Sequence, residues 1–335
     1  MQLIIQQPGA KLSVKDGMYH VRAGEQEHLI SPVEISGIVL NRACVLTFEA
    51  VALAVAHETE MVFLENTGMP IARVWSHKYG SISTIRKHQV DFARSTDALD
   101  WVKQTLARKL ENQATLLAVL QPADLGAMEA VAQAKTRIEA SRARILELPA
   151  GTVESAAATL RGLEGSAGVA YFGALSAALP EAYRFEGRSS QPAEDMFNAL
   201  LNYAYGMLYV RIEGALIRAG IDPYLGIFHR DDYNRPVFVY DFIETYRVWA
   251  EYVVVRLCMD QVIFPEFFDR ENGFFLNPGG KRILIQSFND YLEEVVDMRS
   301  LLRSRATHIE LDAQRFAQTL KTYGVTGSNV QVEQI

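Results

Sequence analysis

The spacing of apolar residues changes character once along the chain, between Trp75 and Ile85, and that change calls for a molecule in two unlike parts. Before it, the apolar residues come in short β-prone runs: Leu3-Ile4-Ile5, Lys11 to Val14, Tyr19 to Arg22, Gly37 to Leu40, Met61 to Leu64 and Ile71 to Val74. Turn-forming pieces such as Lys15-Asp16-Gly17 and Asn66-Thr67-Gly68 separate them, as strands joined by tight connections require. One helix is expected among them, over Thr47 to His57. After Ile85 the apolar residues recur at helical spacing. Helices are expected over Asp97 to Leu120, Asp124 to Leu148, Thr152 to Leu179, Met196 to Ala219, Tyr240 to Met259 and Asp290 to Tyr323. The tail from Gly324 is expected to fray. The fold class is therefore α+β and multidomain. A small β-rich N-terminal domain (1–75) and a linker (76–90) precede a larger all-α C-terminal domain (91–335).

With 335 residues, 49% of them hydrophobic and 22% charged, the chain has the composition of an ordinary soluble globular protein with enough length for two cores. Cys44 and Cys258 lie far apart and match neither a zinc spacing nor a disulfide framework, so a reducing cytoplasm is the simplest setting. No apolar run reaches the length of a membrane span, the most apolar stretch being interrupted by Glu49, and residues 1–8 lack the plan of a signal peptide. The net charge of −7 argues against a generally basic nucleic-acid binder. Yet between Asn66 and Leu110 stand Arg73, Lys78, Arg86, Lys87, Arg94, Lys103, Arg108 and Lys109 against Asp91, Asp97 and Asp100 alone. Such a stripe is compatible with DNA at one face and equally with solvated helix faces.

Two stretches carry candidate chemistry. In residues 220–249, the turn signals Asp222-Pro223 and Asn234-Arg235-Pro236 put His229 on or beside a loop, and the helix after Val237 sets Asp241 and Glu244 on one face. An imidazole from a loop and carboxylates from a helix make half of a divalent-metal site; a solvated face explains the same residues. In the helix from Val153, Glu164 stands among Gly162, Gly165 and Gly168. Each glycine costs roughly 1 kcal/mol relative to alanine within a helix. That cost is tolerated where another helix or a ligand approaches the backbone closely. Glu164, His229 and Glu244 would together offer two carboxylates and one imidazole, a donor set suited to Mg²⁺ or Mn²⁺.

These motifs, taken in order, resemble the CRISPR-associated integrase family of the first-numbered Cas protein. The resemblance rests on Arg161 to Gly165 with Tyr171-Phe172, on Gly226 to His229, and on Tyr240 to Glu244 with Arg247. Lys109 to Gln113, Pro192 to Leu208, Ile30 to Ile35 and Phe63 to Gly68 agree in the same order, so the match spans most of the chain. The resemblance implies a homodimer formed through the β domain and a helical catalytic domain with one metal site. Glu164, His229 and Glu244 would be catalytic residues and ligands of Mg²⁺ or Mn²⁺, with Asp241 as a neighbouring catalytic acid. The implied reaction joins the 3′-hydroxyl of a short DNA fragment to the edge of a CRISPR repeat by transesterification, with DNA nicking at the same site. The implied partners are DNA and the small second-numbered Cas protein. Arg184, Arg188, Arg247 and Lys109 are candidate DNA contacts, although a solvated loop explains Arg184 and Arg188 as well. Net acidity and the extra acids Asp231 and Asp232 depart from the family pattern. A non-catalytic DNA-binding relative and a phosphoesterase acting on a small substrate remain open at this level.

Overall fold

The computed structural model describes residues 2–324, apart from Gln6, Ser36, 66–69, 75–81, Ala123, Gln191 and 230–234. Two compact units divide at Gly80/Ser81, the first strand-rich and the second mostly helical. The expected turn at Asn66 to Gly68, the linker residues Trp75 to Ser81, the acids Asp231 and Asp232 and the tail beyond Gly324 lie outside the described residues.

In the first unit, β1 (Gln2–Ile5), β2 (Lys11–Lys15), β3 (Met18–Ala23), β4 (Gln26–Ile30), β5 (Gly37–Asn41) and β6 (Val45–Leu46) precede α1 (Phe48–Ala56), which is followed by β7 (Glu60–Leu64) and β8 (Pro70–Val74). They form two four-stranded sheets, ordered β1-β5-β7-β8 and β4-β3-β2-β6. Asp16 and Gly17 both take positive φ (51° and 72°), the backbone of a two-residue hairpin turn between β2 and β3. Leu12, Tyr19, Ile38 and Met61 are fully buried with Ala50 and Ala54 of α1, whose small side chains admit the helix between the sheets' apolar residues. The strand β4 was not expected from the sequence, since its residues are polar and mostly exposed; it is held by pairing along β3.

The second unit opens with α2 (Ile82–Ala93), which starts within the stretch expected as linker and runs three residues past it. Its apolar residues Ile85 and Phe92 are buried, which orders a segment too polar on average to announce itself. Then come α3 (Thr96–Val119), α4 (Leu125–Leu146), α5 (Val153–Ala178) and α6 (Met196–Arg218). Ser95, Asp124, Thr152 and Asp195 cap them, each accepting a hydrogen bond from a first-turn backbone N–H. Residues on every side of α6 are buried, so it is the central helix of the unit. An edge-and-face aromatic cluster of Phe92, Trp101, Phe238 and Phe316 ties α2 and α3 to the later helices.

The segment expected as one helix from Tyr240 is two: α7 (Val237–Ile243) and α8 (Arg247–Met259). The break falls on Glu244 to Tyr246, where Asn112 of α3 donates its Nδ2 to the Thr245 carbonyl at 2.9 Å. The expected helix over Asp290 to Tyr323 is also corrected. After the short strands β9 (Phe268–Asp269) and β10 (Phe275–Leu276), α9 (Pro278–Glu293) ends before a hairpin of β11 (Val295–Met298) and β12 (Leu301–Ser304), and α10 (Arg305–Thr322) closes the described chain. Arg299 and Ser300 take φ of 56° and 59° in the hairpin turn, a conformation that ends a helix. Arg299 is held there by its hydrogen bond to the buried Asp312 at 2.5 Å. Both cysteines are free. No described helix is long and apolar enough to cross a membrane.

Candidate active site

Glu164 and Glu244 come from different helices and meet on one cation. Glu164 lies midway along α5, and Glu244 lies at the C-terminal end of α7, just before the chain breaks into α8. The Lys109 ammonium, from α3, lies 2.5 Å from Glu244 Oε2 and also donates to Glu164 Oε1. Arg247, at the start of α8, donates its Nε to Glu244 Oε1 at 2.8 Å and holds its guanidinium 4.8 Å above the Tyr205 ring. Glu244 is nearly inaccessible, whereas about a quarter of the Glu164 side chain meets solvent. Burial would raise the Glu244 carboxyl, but the Arg247 and Lys109 charges override it and hold it down at about 2. Burial likewise pulls the Lys109 ammonium down, and the Glu244 and Glu164 carboxylates outweigh it, keeping lysine above its ordinary value.

His229 lies within the connection between α6 and α7, and the stretch leading to it is fixed from two sides. Asp241 of α7, fully buried at its side chain, accepts from the backbone N–H groups of Ile227 (2.6 Å), Phe228 (3.0 Å) and His229 (2.9 Å), and from His229 Nδ1 at 2.6 Å. Gln89 of α2 binds the loop's first half: its Nε2 donates to the Asp222 and Leu225 carbonyls at 2.9 and 3.1 Å, and its Oε1 accepts from Asp222 N at 2.9 Å. Arg161, one turn before Glu164, places its guanidinium 5.6 Å from the Phe228 ring, joining α5 to the same loop. Burial depresses the imidazole pKa, but the hydrogen bond and charge of Asp241, with Glu244 and Glu164 behind, outweigh it and raise it. With Nδ1 committed to Asp241, Nε2 is the ring atom left for other work.

Three of the four expected catalytic residues, Glu164, His229 and Glu244, thus stand in one electrostatic neighbourhood. The fourth, Asp241, has its carboxylate taken up by the loop it holds. Among the described residues no group of three donors closes as a metal cluster. Glu164 and Glu244 do fit a hard divalent ion: both aim a carboxylate oxygen at one cation, and the buried Glu244 Oε2 makes no hydrogen bond of good geometry.

The expected DNA contacts are in varied positions. Lys109 and Arg247 are committed to the two glutamates. Arg188 donates to Asn198 Oδ1 and, at 2.8 Å, to Asn202 Oδ1, and packs on the Phe172 and Tyr205 rings. Arg184 donates to the Leu179 carbonyl at 3.2 Å, with half its side chain exposed. Much of the basic stripe from Arg73 to Lys109 is spoken for: Arg73 pairs with Glu60, Lys103 donates to the Leu148 carbonyl, and Arg108 pairs with Glu111.

Sequence reasoning missed Gln89, because α2 was expected as linker. It also missed the fully buried Glu251 of α8, which accepts from Tyr171 and Tyr205 hydroxyls at 2.6 Å each. Burial and this carboxylate push both tyrosines well up, and Tyr205 in turn carries Arg247. A glutamate inside the apolar run Val248 to Val255 was the available signal. The glycines beside Glu164 correct another expectation: a Cβ at Gly162, Gly165 or Gly168 would meet nothing within 4 Å, so no neighbouring helix accounts for them.

A profile of the family described as "CRISPR associated protein Cas1" matches residues 3–290 of this architecture. The chain belongs to the Cas1 family. The motif resemblance is thereby borne out. An Archaeoglobus fulgidus protein named CRISPR-associated endonuclease Cas1 1 is 27% identical over 312 residues, 89% of this chain and 90% of its own. A Methanopyrus kandleri protein named CRISPR-associated endonuclease Cas1 is 31% identical over 253 residues, 74% of this chain and 72% of its own. Among solved structures, a casposase bound to integration product superposes with a TM-score of 0.81 at 19% identity, covering 100% of this chain and 95% of that one. A Cas1 protein from Thermotoga maritima gives 0.79 at 16% identity, covering 98% and 100%. These two show that the strand-rich unit followed by a helical one is a fold the chain shares with them.

Proposed function

We propose that this Cas1-family protein is a divalent-metal-dependent DNA integrase and endonuclease that inserts short DNA fragments into a CRISPR repeat. The observation that carries the reading is the convergence of Glu164 and Glu244, from separate helices, on a single cation beside a clamped imidazole. Glu164, Glu244 and His229 Nε2 would hold Mg²⁺ or Mn²⁺, which supplies Lewis-acid polarisation of a phosphodiester and charge neutralisation at the attacking and leaving oxygens.

The chain's own residues do the rest. Asp241 keeps Nδ1 protonated, so His229 presents the Nε2 lone pair, and it holds the loop backbone so that the ring cannot drift. Arg247 fixes the rotamer of Glu244 and leaves its second oxygen to the site. In the reaction, a fragment's 3′-oxygen forms a new bond to phosphorus at the repeat edge. The existing P–O bond breaks, and the departing 3′-oxygen takes up the proton the nucleophile loses. With water as nucleophile the same steps nick DNA. The partner set is DNA, a second copy of the chain and the small Cas2 protein. One relative of this fold is described as part of a Cas6-RT-Cas1–Cas2 complex and another as bound to integration product. Arg184 and Arg188 are offered as phosphate contacts on the loop before α6.

The test is strand transfer of a short duplex with free 3′-hydroxyls into repeat-containing plasmid, with Mn²⁺ or with EDTA, and with or without the Cas2 partner. Metal-dependent joining by wild type and its loss in His229→Ala are expected. Wild type that binds the DNA but neither joins nor nicks it in any metal would establish a DNA-binding scaffold instead.

A further inference from the structure

Lys109 is the least expected member of the site, because its ammonium lies where the carboxylates converge. We infer that Lys109 is the resident counter-ion of Glu164 and Glu244, and that a divalent cation enters by exchanging with its ammonium. The inference rests on the reading that these two glutamates are metal ligands.

Two carboxylates, one of them almost wholly buried, are not held together without a positive charge between them. Lys109 supplies it through the atoms a hard cation would use, Glu164 Oε1 and Glu244 Oε2. The remaining Glu244 oxygen is occupied by Arg247. Leaving the site costs Lys109 its hydrogen bond to Glu164 Oε1 and its charge attraction to both carboxylates. A dication in its place replaces that attraction with a larger one.

The two cations beside Glu244 differ in the way exchange demands. Arg247 is pinned by its Nε hydrogen bond and by the Tyr205 ring beneath it. Lys109 is a point charge on a flexible four-carbon stem, with no planar fork to hold it. It is the cation able to leave. Once displaced it stays tethered to α3, beside the site and available to a phosphate oxygen of the substrate. Metal binding then frees a substrate contact from an internal ion pair.

The test is Mn²⁺ titration of chelator-treated, dialysed protein by calorimetry, in wild type, Lys109→Met and Lys109→Arg. Removing the competitor should tighten Mn²⁺ binding in Lys109→Met by roughly tenfold, the factor that a modest change in local charge produces. Lys109→Arg, with a fork that grips both carboxylates, should bind several-fold more weakly than wild type, and it decides the question if Lys109→Met does not fold. On wild type, Mn²⁺ should also increase acylation of Lys109 by an amine-reactive ester, read by peptide mass spectrometry. Equal or weaker binding in Lys109→Met, or Lys109 acylation unmoved by Mn²⁺, overturns the exchange. Wild type that binds no Mn²⁺ overturns the metal-ligand reading beneath it.

Discussion

Glu164 and Glu244 are the same residue type on the same cation, yet they are built into the protein in opposite ways. Glu244 is a structural anchor: nearly inaccessible, bonded to Arg247, paired with Lys109, and set at a helix break that Asn112 holds through Thr245. Glu164 projects from an unbroken helix, keeps solvent on one side, and has glycines with open space around it. One carboxylate defines the site and the other completes it. A carboxylate pair divided in this way would be preorganised on one side and open to solvent on the other.

The comparison breaks most visibly at Glu244. Glu244→Ala leaves Arg247 and Lys109 without their shared carboxylate. It should cost about 3–5 kcal/mol of stability, the usual result of removing one partner from a buried pair, together with all strand transfer. Thermal melts of the purified variant check the first and the plasmid assay the second. The pH dependence has a definite sign. Glu244's folded value lies near 2, below its ordinary 4.5, so its contribution is complete above 4.5 and fades as pH falls towards 2. Glu244→Gln should therefore flatten the acid limb of the stability profile in that window; an unchanged limb would remove Glu244 from its anchoring role. Glu164→Gln should behave otherwise. It abolishes strand transfer yet moves stability by less than about 1 kcal/mol, because a partly exposed pair contributes little. A melt as damaged as that of Glu244→Ala would erase the distinction.

Gln89 sharpens the same contrast on the histidine side. Its three hydrogen bonds reach loop backbone while His229 is still several residues ahead. Gln89→Leu strands buried backbone groups and should cost roughly 1–3 kcal/mol. By loosening the loop, it should also weaken Mn²⁺ binding by about tenfold, in the range that outer-shell changes produce. A melt that falls while Mn²⁺ affinity holds would mean that Asp241 alone sets the histidine.

Much of this was legible in the sequence for local reasons. The strands of the first unit announce themselves by short apolar runs. The helices α3 to α6 announce themselves by long periodicity behind Ser, Asp or Thr caps. The ordered motifs around Glu164, His229 and Glu244 pointed to the family that residues 3–290 match. What escaped was set by tertiary contact. The hairpin Val295 to Ser304 depends on Arg299 reaching Asp312 across to α10, and the α7–α8 break depends on Asn112 of α3. Gln89 acts on backbone carbonyls, which any residue supplies, so no pattern at 222–225 could have named it. Lys109 reads in the sequence as one cation of a basic stripe and a candidate DNA contact, because its carboxylate partners lie on helices far along the chain.

The smallest effect tests the open side of Glu164. Gly165 lies one residue on in α5, exposed and helical, and a Cβ there meets no atom within 4 Å. On folding grounds alone, Gly165→Ala should stabilise the protein by about 0.4–1 kcal/mol, since alanine loses less backbone entropy and fits the same conformation. A helix that forgoes this gain at Gly162, Gly165 and Gly168 leaves bare backbone beside Glu164, which would admit close approach of a substrate strand. Gly165→Ala should therefore melt higher and join DNA more slowly, with Mn²⁺ affinity unchanged because no ligand is touched. Equal joining at a higher melting temperature would leave the glycines without a role at the site. Slower joining would place the substrate on that face.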